Sequence, residues 1–156
     1  MTARMVYLDN NATTPLHPHV QEEMSRALGV YGNASSFHTF GREARKGIED
    51  ARENIADFIG ARPDEIIFVG SGSEANNTVL NIFSMTCAKC DSCRVDRKEV
   101  ITSQIEHPCI METSKCLEER GIPVTYTPVD GDGLIDMQAL EEKLSETTGL
   151  VSIMMA

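Results

Sequence analysis

Three stretches hold residues whose type and spacing could do chemistry. The first is Val69-Gly70-Ser71-Gly72-Ser73-Glu74. An apolar run, Ile66-Ile67-Phe68-Val69, precedes it, and a pattern with Val79, Leu80, Ile82 and Phe83 follows. Strand, glycine-rich turn and helix start make an anion site: the first amides of a helix have no internal partner, and the helix dipole favours negative charge there. Glycines let the backbone come close, and Ser71 and Ser73 add hydroxyl donors. The plainer reading is an N-cap in which Ser71 or Ser73 serves only the helix. The stretch matches neither a G-x-x-x-x-G-K-[ST] loop nor a G-x-G-x-x-G fingerprint, so a nucleotide is not the first choice.

The second stretch is Cys87-Ala88-Lys89-Cys90-Asp91-Ser92-Cys93. Thiols at C-x-x-C-x-x-C spacing can hold zinc or an iron–sulfur cluster, with Cys116 or a partner residue as the fourth ligand. The plainer reading is that they are simply reduced thiols in a short loop. The third comprises two polar segments, Asp9-Asn10-Asn11-Ala12-Thr13-Thr14-Pro15 and Tyr31-Gly32-Asn33-Ala34-Ser35-Ser36-Phe37-His38, rich in residues that serve turns and ligands alike. By spacing alone, an Asx-type turn explains the first segment as well as a binding role does.

These stretches need elements to position them. The spacing predicts a strand or extended arm at residues 5–8 and helices near 18–28 and 42–59. Ala44, Ile48, Ala51, Ile55 and Phe58 form the apolar stripe of the second helix, with Gly60 past its end. Strands are then expected at 66–69, 100–102, 124–127 and 150–155, and helices at 74–85, 108–120 and 137–145. Alternation of apolar strands with helices gives an α/β fold with a mainly parallel sheet flanked by helices. A wholly apolar strand at 150–155 should be central, so the chain reads as an incomplete domain.

The bulk composition narrows the function. The 156 residues suffice for one core, with 41% hydrophobic and 24% charged residues. A formal net charge of −10 argues against nucleic acid and anionic membranes as partners. No apolar run is long enough to span a bilayer. Five cysteines, an odd number, with no secretory signal are expected as free thiols in a reducing, cytoplasmic setting.

The segments Tyr7 to Pro15, Gly32 to His38, Phe68 to Asn77, Thr102-Ser103-Gln104-Ile105-Glu106-His107-Pro108 and Leu150-Val151-Ser152-Ile153-Met154 occur in the order seen in NifS/IscS-like cysteine desulfurases. The chain resembles the N-terminal portion of these class V aminotransferase relatives. They depend on pyridoxal 5′-phosphate (PLP) and have the aspartate-aminotransferase-like fold.

That resemblance implies an arm at 1–15 associated with the small domain, and the first part of the PLP-binding large domain at 16–156. It implies that Gly72 and Ser73 cradle the PLP phosphate. Ser73 stands where the family usually has Thr, and keeps the hydroxyl. His107 is the histidine expected to stack on the pyridine and to help in proton transfer; its alternative is a core or helix-capping histidine. Asn11, Ala12 and Thr13, next to Asn10, resemble the active-site arm, and Asn33 and His38 a loop near substrate or dimer partner. Cys109 lies close to the expected cofactor plane, as a small apolar helix residue or, less in keeping with the family, a nucleophile.

The implied reaction takes L-cysteine to L-alanine and an enzyme persulfide for iron–sulfur cluster assembly, with PLP as electron sink. A homodimer and an iron–sulfur scaffold or other sulfur acceptor are the implied partners. The cofactor-linking lysine, the pyridine-tuning Asp and Gln, and the persulfide cysteine are expected beyond Ala156, in a C-terminal part or a second chain. Lys46, Lys89, Lys98, Lys115 and Lys143 fit none of those settings and read as solvated. By itself the chain is therefore expected to be inactive. The alternatives are a non-catalytic module binding PLP, a partner or a metal, and a selenocysteine lyase-like relative.

Overall fold

The computed structural model describes residues 5–82 and 99–155. It comprises two compact units, one ending at Ile67 and one beginning at Phe68.

The first unit is helical. Residues 5–9 belong to no helix or strand among the described residues. Helix α1 spans Pro18–Ala27 and helix α2 spans Thr39–Ile59, followed by a 3-10 turn at Pro63–Glu65. Helix α2 starts three residues before its expected position because His38 accepts the Gly41 amide and so caps the helix. It stops at Gly60, whose φ of 72° is one that a side chain would strain. Gly41 is fixed by contact: a Cβ there would lie 2.4 Å from the Ser36 carbonyl oxygen and 2.6 Å from that of Asn33. The expected apolar stripe departs from its role. Ile48, Ile55 and Phe58 are 42%, 41% and 90% exposed, and only Gly41 and Ala56 are buried. Periodicity reports which side of a helix favours cover, not what supplies it.

The second unit is α/β. Helix α3 spans Gly72–Asn81, strand β1 Glu99–Ser103, helix α4 Pro108–Glu119, strand β2 Val124–Thr127, helix α5 Met137–Lys143 and strand β3 Thr148–Ser152. The sheet order is β2-β1-β3, and both pairings are parallel. Val100 lies opposite Val124 on one side and Leu150 on the other. The core joins Leu80 of α3, Val100 of β1, Ile110 and Leu117 of α4, and Ile122, with Cys109, Val124 and Leu150 packed against it. Helices α3 and α4 are also laced by hydrogen bonds from Asn76 to Cys109 and from Thr113 to Asn77, and by Arg120 reaching Asn81.

Two expected strands read differently here. Among the described residues, 66–69 form no ladder, and Ile67 is 79% exposed. A β-propensity run becomes a strand only where a neighbour accepts its backbone bonds. The last strand spans Thr148–Ser152 and lies at an edge of the described sheet; β1, with Val100 and Ile101 fully buried, is the centre.

The carboxyl end of β1 is held firmly. Thr102 Oγ1 donates to the Ser152 carbonyl at 2.9 Å. The buried Glu106 accepts from Ser103 Oγ at 2.8 Å and from the Met154 amide at 2.7 Å. Burying a carboxylate is costly unless it is hydrogen-bonded. Here those bonds fix the loop that carries His107. Among the described residues, no helix is long and apolar enough to cross a membrane.

Candidate cofactor site

The site forms where two helix starts meet. Ser71 caps α3: its backbone is extended (φ −164°, ψ 162°), and its Oγ accepts the Glu74 amide at 3.1 Å. Glu74 returns the bond one residue further back, accepting the Gly70 amide at 2.7 Å through Oε2. The sequence Ser71-x-x-Glu74 is thus a capping box shifted by one residue. With Ser71 and Glu74 so engaged, the Gly72 and Ser73 amides and the Ser73 hydroxyl have no partner among the described residues. Three donors at the positive end of a ten-residue helix face outward together.

Helix α4 starts opposite. His107 is its N-cap, Pro108 its first residue, and His107 Nδ1 accepts the Cys109 amide at 3.1 Å. Because that amide can only donate, Nδ1 carries the lone pair, and the neutral ring keeps its proton on Nε2. Cys109 Sγ lies 3.0 Å from the same Nδ1 and accepts from Asn76 Nδ2 at 3.3 Å. A cavity of about 310 Å³ is lined by Ser71, Gly72, Ser73, Asn76, His107 and Cys109.

The structure thus brings Gly72, Ser73 and His107 to one cavity. His107 is also a helix cap, so the capping alternative is realised; it occupies Nδ1 and leaves Nε2 for other work. Asn11, Ala12, Thr13 and Asn33 belong to the first unit. There the Ala12 and Thr13 amides bond to the Asp9 carbonyl at 3.2 and 3.3 Å, closing an exposed turn. Asn33 Oδ1 accepts the Ser35 amide at 2.9 Å, and its carbonyl accepts the Ser36 amide at 2.8 Å.

Cys87, Cys90 and Cys93 lie outside the described residues, and the proposed fourth ligand, Cys116, is exposed. Among the described residues, no group of three or more His, Cys, Asp or Glu could hold a metal ion. Lys46 and Lys115 pair with Asp50 and Glu112 on their own helices. Lys143 is less solvated than expected: it is half-buried and donates to the Tyr126 carbonyl at 2.7 Å.

Two contributors escaped the sequence, and a third was only partly read. Asn76 and Glu106 stood in motifs without a role of their own. Cys109 does pack against the core as a small residue, yet its sulfur also meets the imidazole. The one available signal was adjacency, since Glu106 and Cys109 flank His107-Pro108.

A larger hollow of about 700 Å³ between α1 and α2 includes Met24, Ala27, Val30 and Gly47 in its lining. Of its charged groups, Arg26 pairs with Glu23 and Lys46 with Asp50. It lacks the converging free donors of the smaller site.

The donor set fits a phosphate ester carried on a flat ring. Two amides and a hydroxyl await an anion, a Cβ built on Gly72 meets nothing within 4 Å, and an imidazole lines the same space. Fold and site together define a parallel α/β protein with unpartnered helix-start donors in a cavity beside the carboxyl end of its central strand, where open α/β sheets bind their ligands.

The model of the family described as aminotransferase class-V matches residues 6–156. The chain therefore belongs to the class V aminotransferase family, whose cofactor is PLP. It is 44% identical over 154 residues to cysteine desulfurase IscS of Dictyoglomus turgidum, covering 98% of this chain and 38% of that protein. It is 42% identical to the IscS-like cysteine desulfurase of Mycobacterium tuberculosis, covering 97% and 39%. Among solved structures, a NifS-like protein superposes with a TM-score of 0.85 at 38% identity, over 95% of this chain and 39% of that one. A structure described as SspA in complex with cysteine gives a TM-score of 0.81 at 36% identity, over 94% and 41%. The chain spans about two fifths of the length of these relatives.

Proposed function

We propose that the full-length protein is a cysteine desulfurase, and that this chain supplies its phosphate cradle and ring-facing histidine. The single observation that carries the reading is the set of unpartnered Gly72 and Ser73 donors facing the same cavity as His107. The names of the relatives, and the cysteine with which SspA is complexed, support the substrate.

In this reading the Gly72 and Ser73 amides and the Ser73 hydroxyl bind the 5′-phosphate, with the α3 dipole adding to their attraction. His107, held by its cap bond, would face the bound cofactor from the same cavity, and its Nε2–H is the polar group left to orient or move a proton. When bound, PLP supplies the electron sink for carbon–sulfur bond cleavage. The buried Glu106 keeps the β1–α4 loop rigid, so the imidazole holds one position. Asn11, Ala12, Thr13 and Asn33 are assigned to substrate contacts on the family resemblance. A homodimer, a cytoplasmic location and sulfur delivery to an iron–sulfur scaffold or other acceptor complete the proposal.

The test is stoichiometric. Full-length protein purified with PLP and given L-cysteine should release alanine, and sulfide in equal amount when a reductant is present. Retention of PLP without alanine would leave a cofactor-binding module. Failure to retain PLP, or a structure with that cavity filled by side chains, would overturn the cradle itself.

A further inference from the structure

The contacts behind His107 form one directed chain of donors. Asn76 Nδ2 donates to Cys109 Sγ at 3.3 Å, and Sγ lies 3.0 Å from His107 Nδ1. The same Nδ1 accepts the Cys109 amide at 3.1 Å. The amide fixes the direction. An acceptor Nδ1 makes the thiol the donor of the S···N contact, which turns sulfur lone pairs toward the Asn76 amide. Each group then has a matched role.

Helix lacing keeps the chain in register. The single hydroxyl hydrogen of Thr113 is shared between Asn77 Oδ1 and the Cys109 carbonyl, binding α4 to α3 one turn below the cavity. Asn76 and Cys109 come from segments 33 residues apart, so their meeting is a product of the fold.

We propose that Asn76 and Cys109 are positioning residues for His107: the Asn76–Cys109–His107 relay locks the imidazole in its neutral tautomer with the proton on Nε2, and fixes its orientation beside the cofactor cavity. The lock itself stands on the hydrogen bonds; its value to the reaction rests on the cysteine desulfurase reading. Neither residue needs to touch substrate. Cys109 serves by donating rather than by attacking.

The experiment uses full-length protein carrying ¹⁵N-labelled histidine, with His107 assigned by its loss in His107→Gln. In the parent protein His107 should show one protonated and one unprotonated ring nitrogen around neutral pH. Cys109→Ala and Asn76→Ala leave the amide bond to Nδ1 in place but should both shift that pair measurably toward the signals of an exchanging imidazole, and Cys109→Ser should restore it. Should Cys109→Ala fold poorly, Asn76→Ala breaks the same relay from the other helix. Alanine formation should show kcat reduced about fivefold in either alanine variant, the worth of one neutral hydrogen bond, with KM for cysteine unchanged. Unchanged His107 nitrogen signals in both variants would overturn the relay. Adding PLP separates the two claims: if it leaves His107 signals unmoved in the parent protein, the cofactor reading fails while the tautomer lock stands.

Discussion

Helices α1 and α4 begin in the same way and end up with different prospects. Each starts His-Pro. Both histidines have extended backbone (φ −62°, ψ 138° at His17; φ −57°, ψ 145° at His107), and both rings accept the amide two residues on. The distances are 3.3 Å at His17 and 3.1 Å at His107. The proline suits the first helical position because the amide it lacks would be unpaired there. Local sequence therefore makes the same cap twice. What differs is the company. Both residues are exposed, but His17 stacks on its neighbour His19, with ring centroids 5.4 Å apart. His107 faces a second helix start, with the Gly72 and Ser73 donors and the Cys109 sulfur around the same cavity. A capping histidine gains a chemical role only where tertiary structure brings something to its other nitrogen.

The largest expected effect tests that contrast directly. In the full-length protein, His107→Ala should lower alanine formation about 10²- to 10⁴-fold, the usual range for losing a positioned proton-transfer group. His17→Ala removes the same cap bond and should leave the rate within about twofold, costing only about 1 kcal/mol of stability. Equal losses of activity in the two variants would erase the distinction between cap and site.

The neighbouring serines sharpen it next. Ser73→Ala should weaken PLP binding by roughly tenfold in equilibrium titration, as one hydrogen bond to a charged group is lost, and Ser73→Thr should preserve binding. Ser71→Ala should act on the helix instead, at about 1 kcal/mol, and lower the melting temperature by a few degrees. If Ser71→Ala cost more PLP affinity than Ser73→Ala, the two roles would have to be exchanged.

These contrasts also show what a sequence can carry. Helix α4 and strand β2 were legible because their signals are local: Pro108 opens a run, Gly121 closes it, and β-branched Val124 and Thr125 follow. The capped start of α3 was legible too, since Gly70 to Glu74 act on one another within four residues. Boundaries failed where a histidine did the work of a standard cap, as at His38, which begins α2 early. The 66–69 run failed because pairing is a property of neighbours. Glu106 and Asn76 failed for the same reason: Glu106 meets Met154 across 48 positions and Asn76 meets Cys109 across 33. Residue type announces that a group can bond, and only the fold says to what.

The smallest expected effect lies where β2 meets α4. Tyr126 OH donates to Glu118 Oε2 at 3.0 Å. Burial first, and then that carboxylate, push its pKa up to about 12 from 10.0. The sign follows from proton binding. Between pH 10 and 12 the folded phenol keeps its proton while the unfolded one loses it, so its share of stability, whole below pH 10, declines as pH rises through that window. A phenol this far from full burial is partly screened, so the loss should be small. Tyrosinate absorbance should show a late-titrating step near pH 12 that disappears in Tyr126→Phe and moves to lower pH in Glu118→Gln. Of the two causes, only the carboxylate can be removed without changing the ring. A step that stays in place in Glu118→Gln would assign the whole displacement to burial. In contrast to His107, Tyr126 would then be a polar group shaped by its packing alone.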